Sequence, residues 1–211
     1  AMGRKDVGGF TVPAINIRIG TLDTARAMFK AANDKKVGAL IVEIARSEMG
    51  YTKQSPAEYA SVVQAAAMLE GFEGPIFLQG DHVQLKSAPV RSGGEAGAKE
   101  INAHRNLIRE LLEAGFGSID LDMSPFERRT EENLSFSEQQ AENARLTAEK
   151  IADVRALEKE LGIPWTVLLG GETGEVGKMN TRKEDIEAYA EGIVENMKRL
   201  GIDPALGIRK I

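Results

Sequence analysis

The stretch PIFLQGDH, residues 75–82, joins an apolar run typical of a buried β-strand to an acid and an imidazole that follow it directly. Short apolar runs bounded by turn residues are typical of strands that are covered on both faces of a parallel sheet. The same pattern recurs along the chain, in FTVPAINI (10–17), ALIVEIA (39–45), GSIDLD (117–122) and WTVLLG (165–170). Longer helical patterns separate these runs, so the sequence predicts five βα units and an α/β fold.

Capping patterns predict where three of the helices begin, because Ser or Thr before a helix satisfies its free backbone N–H groups. The predicted helix starts are Ser55-Pro56, Ser137…Gln140 and Thr181…Glu184. The Gly-rich stretch 86–100 is predicted to be a polar loop, and GIRKI (207–211) is predicted to begin a sixth strand.

Five βα units fit two architectures, a doubly wound open sheet and a (β/α)8 TIM barrel. A complete barrel takes about 250 residues, whereas the chain has 211. We expect one domain over residues 1–211. If it is a barrel, it supplies the N-terminal part, about the first five units, and strands six to eight are missing.

Composition excludes several classes of function. A net charge of -5 with no basic run argues against nucleic acid as a partner. The absence of cysteine rules out a disulfide framework and a thiolate metal site, and is typical of a cytoplasmic protein. No apolar stretch is long enough to predict a membrane span or a signal peptide, so a membrane partner is not expected.

Polar side chains follow every predicted strand. Because the carboxyl ends of parallel strands meet at one edge of the sheet, we expect these side chains to converge. They include Asn16, Ser47, Asp81, His82, Asp122 and Glu172. An imidazole among carboxylates is a plausible site for zinc or another divalent cation.

The second histidine, His104, has a different context. It lies on the same predicted helix face as Ile101, Ile108 and Leu111, which favours a packed histidine without a chemical role. His82 is therefore the stronger candidate for chemistry.

Well-known nucleotide and hydrolase motifs are missing from the sequence. The segment GETGEVGKMN (171–180) lacks the glycine and hydroxyl positions of a phosphate-binding P-loop. No GxGxxG follows the first strand, and no GxSxG frames a nucleophilic serine. The glycines of 170–177 could still expose backbone N–H groups to a substrate phosphate, or simply form a turn.

Taken in order, a set of segments over essentially the whole chain resembles the class II, metal-dependent fructose-bisphosphate and tagatose-bisphosphate aldolase family. These segments are PAINIR, VEIARSE, LQGDH, DLDMS with PFERRTEENLSFSEQQAEN, and GGETGEVG. The resemblance implies a (β/α)8 barrel and a lyase of carbohydrate metabolism and glycolysis. The implied reaction is reversible aldol cleavage of a ketose bisphosphate to dihydroxyacetone phosphate and an aldehyde.

The resemblance also implies roles for individual residues. The implied catalytic residues are Asp81, as general acid/base, and Glu175, the acid nearest to the position that moves the C1 proton. The implied metal ligands are His82, Asp122 and Glu172, holding Zn²⁺ or another divalent cation. The implied substrate-binding residues are Asn16, Ser47, Gly174 and Gly177, the two glycines belonging to a loop for phosphate and a monovalent cation.

The family takes two further zinc histidines from strands six and seven, beyond the last residue of this sequence. We therefore expect a fragment of a longer polypeptide that acts on a phosphorylated ketose, with a homo-oligomer as its assembly. A non-catalytic or degenerate barrel subunit that stabilises an active partner is the alternative. A metal-free sugar-phosphate isomerase or binding barrel is the third hypothesis.

Overall fold

The computed structural model describes residues 11–131, 133–174 and 179–211. Five strands alternate with helices. The strands are β1 (Ala14–Asn16), β2 (Leu40–Ala45), β3 (Ile76–Gln84), β4 (Ser118–Asp122) and β5 (Leu168–Gly171). The helices are α1 (Thr21–Asp34), α2 (Arg46–Thr52), α3 (Pro56–Glu70), α4 (Ser87–Ser92), α5 (Gly94–Glu113), α6 (Phe136–Leu161) and α7 (Lys183–Arg199).

All five strands are parallel and lie in the sheet in the order β1-β2-β3-β4-β5, the same as in the chain. A doubly wound sheet reverses its strand order at one point, whereas a barrel adds each strand to the same edge. The sequential order therefore selects the barrel and excludes the open doubly wound sheet. The fold is a five-strand part of a TIM barrel.

The two faces of the sheet differ in what covers them. The helices pack on one face, where side chains such as Val42, Ile119 and Leu121 are fully buried. The opposite face would line the barrel interior, and there Phe77 is 52 % exposed and Leu168 is 55 % exposed. The core thus lies between the sheet and the helices.

The predicted strands are found, with different ends. The first is shorter than FTVPAINI, because Pro13 has no N–H for the ladder and residue 10 lies outside the described residues. The third is longer than PIFLQG, since pairing with β4 continues through Gln84. The predicted sixth strand begins where Gly171 donates its N–H to the carbonyl of Lys210 at 3.0 Å.

The stretch 86–100 is helical, which makes the prediction of a long polar loop wrong. Helices α4 and α5 meet at Gly93 and Gly94, both with positive φ, so the glycines mark a junction between helices. In the part of the chain that the structure describes, no helix is long and apolar enough to cross a membrane.

The helix caps were predicted with mixed success. Ser55 caps α3 through a 3.2 Å bond from the N–H of Glu58, as expected. Helix α6 begins two residues earlier than the predicted Ser137, because Ser135 and Glu138 form the capping box. Helix α7 likewise begins after Arg182 rather than Thr181.

Candidate active site

A β-bulge in β3 places the candidate site. Gly80 pairs with Ile119 and Val83 pairs with Leu121, so β3 has one more residue than β4 between these two pairs. His82 has a φ of 43°, in the left-handed region that residues with a side chain rarely adopt. Such bulges re-aim side chains next to functional sites. Here the bulge presents Asp81 and His82 at the carboxyl edge of the sheet.

The imidazole of His82 meets carboxylates from two neighbouring strand ends. Its Nδ1 lies 2.8 Å from Oε2 of Glu172 and 3.4 Å from Oδ2 of Asp122, while its Nε2 lies 3.9 Å from Oδ1 of Asp81. Hydrogen bonds with Asp122 and Glu172 raise the pKa of His82 to about 11, against the effect of burial. The side chain remains 48 % exposed, so it is accessible from the barrel interior.

Asp122 is fixed by several donors at once. Its Oδ1 accepts the N–H and hydroxyl of Ser124 at 3.0 and 2.7 Å, and its Oδ2 accepts the amide of Gln84 at 2.7 Å. Burial opposes ionisation of Asp122, but His82, Ser124 and Gln84 together lower its pKa below the ordinary value. Asp122 therefore offers a fixed negative charge to the imidazole.

Glu172 follows β5 and is less constrained. Burial, with the charge of Asp122 nearby, raises the pKa of Glu172, and the contact with His82 works in the opposite direction. A nearby cation would stabilise the ionised form of such a buried carboxylate.

Asp81 is oriented from the first strand. The side-chain amide of Asn16, at the end of β1, donates to Oδ2 of Asp81 at 2.8 Å. The other oxygen of Asp81 faces His82. Asn16, predicted to bind substrate, thus orients Asp81, predicted to be catalytic.

A second polar layer lies deeper inside the barrel. The amide of Gln79 donates to Glu43 and, at 2.9 Å, to Asp120, and the ammonium of Lys210 donates to Oε1 of Gln79 at 2.7 Å. Lys210 also lies 3.0 Å from the Asp120 carboxylate. Burial raises the pKa of both Glu43 and Asp120, and Lys210 moderates both. This layer adds negative charge directly below the site.

The remaining predicted residues have varied surroundings. Ser47 is exposed in the first turn of α2, next to the end of β2. Gly174 has a φ of 89°, and its N–H donates to Oε1 of Glu127 at 2.8 Å, so this N–H is already engaged. Glu175 and Gly177 lie outside the described residues.

The donor set suits a divalent cation. Asp81, His82 and Glu172 each offer one ligand atom, and the three atoms lie within 4.8 Å of one another. One imidazole nitrogen with carboxylate oxygens is chemistry that Zn²⁺ and similar ions accept. The other histidine of the chain is fully buried in α5, so His82 is the imidazole that can serve this site.

A family model described as fructose-bisphosphate aldolase class-II matches residues 4–204. The chain belongs to the class II fructose-bisphosphate aldolase family. Aldolases of this class are typically metal-dependent, which agrees with the cluster of His82 and carboxylates.

Solved structures confirm the fold. One similar structure is a probable tagatose 6 phosphate kinase from Sinorhizobium meliloti 1021, with a TM-score of 0.57 and 21 % sequence identity. The match covers 91 % of this chain and 46 % of that chain, so this aldolase-family chain spans about half the length of that protein. A comparison with curated proteins gives no match.

Sequence reasoning missed several polar residues around this aldolase-family site. Gln84 lies two residues after His82, and a period of two along a strand was the signal that could have found it. Gln79 was missed because it lies within the largely apolar run 75–80, and Lys210 because it lies in the predicted start of a sixth strand. Their role depends on neighbours that are distant in the chain.

Proposed function

We propose that the protein catalyses reversible, divalent-metal-assisted aldol cleavage of a ketose bisphosphate to dihydroxyacetone phosphate and an aldehyde. The observation that supports this most is the bulge in β3, which brings Asp81 and His82 together with Glu172 at one edge of the sheet. Family membership supplies the reaction class.

Asp81 is proposed as the general acid/base. In the cleavage direction it takes the proton of the substrate's C4 hydroxyl. The C4 oxygen then becomes the aldehyde oxygen, and the electron pair of the C3–C4 bond moves towards the C2 carbonyl as that bond breaks. We assign this transfer to Oδ1, the oxygen that faces His82, while the hydrogen bond from Asn16 to Oδ2 fixes the orientation of the carboxylate. A positioned carboxylate that reaches the reacting proton meets the geometric demand on a general base.

His82 and Glu172 are proposed to hold the metal, with zinc as the first candidate. When bound, a divalent cation supplies a Lewis acid for the substrate's carbonyl oxygen. Asp122, which we expected to be a ligand, is less suited to bind the metal, because its own oxygens already accept bonds from Ser124 and Gln84.

We place the enzyme in cytoplasmic carbohydrate metabolism, acting as a homo-oligomer and using the loop after β5 for substrate phosphate. Within that loop, Glu175 is proposed to move the C1 proton, and Gly177 to contribute to the binding of phosphate and a monovalent cation. Asn16 and Ser47 are proposed to face the substrate.

The direct test is a cleavage assay with D-fructose 1,6-bisphosphate and D-tagatose 1,6-bisphosphate, with triose phosphate release as the readout. We expect cleavage of at least one sugar, loss of activity after chelation, and recovery when Zn²⁺ is returned. Glu160→Gln removes an exposed acid from the helical surface and should behave as wild type. Absence of cleavage by the zinc-loaded protein, or cleavage that resists chelation, would contradict the proposal.

A non-catalytic subunit that stabilises an aldolase partner is the second candidate. One observation favours it. Only one imidazole of the sequence reaches the described site, and His82 and Glu172 are two proposed ligands, whereas catalytic zinc sites commonly have three protein ligands. Under this alternative the protein binds no zinc tightly by itself, and it raises the thermal stability of an active aldolase chain when the two are mixed.

A further inference from the structure

The second histidine contacts the backbone of the bulge from the opposite side of the sheet. His104 lies in α5 and is 0 % exposed. Its Nε2 is 3.0 Å from the carbonyl oxygen of Val83, the residue that directly follows His82. The helix-facing layer therefore contacts the same short segment that presents the candidate metal ligand.

The chemistry of this contact fixes which nitrogen carries the proton. A backbone carbonyl only accepts hydrogen bonds, so Nε2 of His104 must be the donor. Nδ1 is buried and has no hydrogen-bond partner among residues 11–131, 133–174 and 179–211. Burial, with the charges of Lys150 and Arg46, lowers the pKa of His104 to about 4. A neutral ring with its proton on Nε2 agrees with both observations.

The bulge is strained and tightly packed, so it needs support. A residue with a side chain in the left-handed region, such as His82, is strained, and this conformation persists only where the neighbouring structure enforces it. At Gly80, a Cβ atom would lie 3.0 Å from Val83 and 3.1 Å from Leu111 of α5. The helix thus rests directly against the bulge, and the hydrogen bond from His104 is the polar part of that contact.

We propose that His104 is a positioning residue, which holds the carbonyl of Val83 from behind so that the bulge keeps His82 aimed at Glu172 and Asp122. This inference rests on the proposed metal site for its functional meaning. Its structural content, that the bond from His104 fixes the conformation of His82, stands independently of the reaction.

Two isosteric replacements separate positioning from simple packing. In His104→Gln the amide nitrogen takes nearly the place of Nε2 and can donate to Val83, whereas in His104→Asn the shorter side chain places its amide near Nδ1 and cannot reach. Ile108→Ala is the matched control, because Ile108 is fully buried one turn along the same helix and its truncation weakens packing without removing the bond.

The first measurement is NMR on metal-free protein. The sequence has two histidines, and the ring signals that are lost in His104→Gln are those of His104. We expect the Nε2–H form for His104. The backbone amide signals of His82 and Val83 should be displaced in His104→Asn, and stay near wild type in His104→Gln and Ile108→Ala. A proton on Nδ1, or equal displacement in the control, would overturn the inference.

The second measurement is the dissociation constant for Zn²⁺. Loss of an outer residue that orients a ligand typically weakens metal binding by about 10–100-fold. We expect that loss in His104→Asn, and a change under about threefold in His104→Gln and Ile108→Ala. Unchanged affinity in His104→Asn would overturn the positioning role. If wild type itself binds no Zn²⁺, the proposed function fails, and the NMR comparison alone decides whether His104 fixes the bulge.

Discussion

The two histidines occupy opposite sides of the same strand and differ in almost every property. His82 is half exposed, has a left-handed backbone and lies among carboxylates that raise its pKa to about 11. His104 is fully buried in a helix, and its pKa is lowered to about 4. Surroundings, rather than residue type, therefore separate an imidazole suited to bind a cation from one kept neutral in the core.

The carboxylates around His82 show the cost of such a site. Burial raises the pKa values of Glu43, Asp120 and Glu172, so the ionised side chains weaken the fold unless cations compensate for them. Lys210 is one compensating cation in the deeper layer. A bound divalent metal would be another, at the rim.

The largest expected effect separates the role of Asp81 as a base from the role of its neighbour His82 as a metal ligand. Asp81→Asn keeps the size of the side chain and the bond from Asn16 but removes the base. We expect kcat to fall by about 10²–10⁴-fold, the usual contribution of a general acid/base, while bound zinc stays near the wild-type level. Steady-state cleavage assays with parallel metal analysis measure both. Near-normal kcat would remove Asp81 from the mechanism.

The next effect concerns His104 and acid stability. Its pKa is about 4 when folded, below the ordinary value of 6.5. The unfolded chain therefore binds its proton first as the pH falls. Titration of His104 therefore leaves the free energy of unfolding unchanged above pH 6.5 and lowers it between pH 6.5 and 4, by about 3 kcal/mol in total.

His104→Gln should lack this part of the pH dependence. Urea unfolding of both proteins at pH 7 and pH 4 gives the comparison, and contributions of the carboxylates cancel in the difference between them. Parallel pH profiles would show that His104 is not held neutral in the folded state.

A smaller effect tests the strain at His82. Glycine adopts a positive φ without penalty, whereas alanine does not. We expect His82→Gly to be more stable than His82→Ala by about 1 kcal/mol, despite the larger backbone entropy of unfolded glycine. Thermal unfolding of the two metal-free variants measures the difference. A more stable alanine variant would show that the bulge is not strained at this position.

The smallest effects lie far from both histidines, at the start of α6. Ser135→Ala removes the N-cap and should cost about 1 kcal/mol, because the hydroxyl of Ser135 accepts from the N–H of Glu138. Ser137→Ala lies inside the helix and should change stability by less than about 0.5 kcal/mol. Equal effects would restore the original prediction of a cap at Ser137.

The sequence was sufficient for the layout of the fold and for the residues at the strand ends. Apolar runs located β2 and β4 within about a residue, and polar residues after the strands led to Asp81, His82 and Glu172. The reason is that burial of a strand and exposure of its end are local properties. The barrel order of the strands, in contrast, became clear only from their pairing.

Features that depend on distant partners could not be predicted. The bulge exists because β3 pairs out of step with β4, and no local pattern around His82 announces it. The helices within 86–100 were hidden by two glycines that turned out to be a junction. His104 was correctly expected to be packed, yet its bond to Val83 crosses between layers.

The most direct test of the account is the affinity of the metal-free protein for Zn²⁺, measured by competition with a chromophoric chelator in wild type, His82→Ala and Asp81→Asn. The account predicts one tight site in wild type, retained in Asp81→Asn and weakened by more than about 100-fold in His82→Ala, beyond the loss expected for an outer residue. Equal zinc affinity in wild type and His82→Ala would contradict the claim that the bulge in β3 builds a metal site around His82.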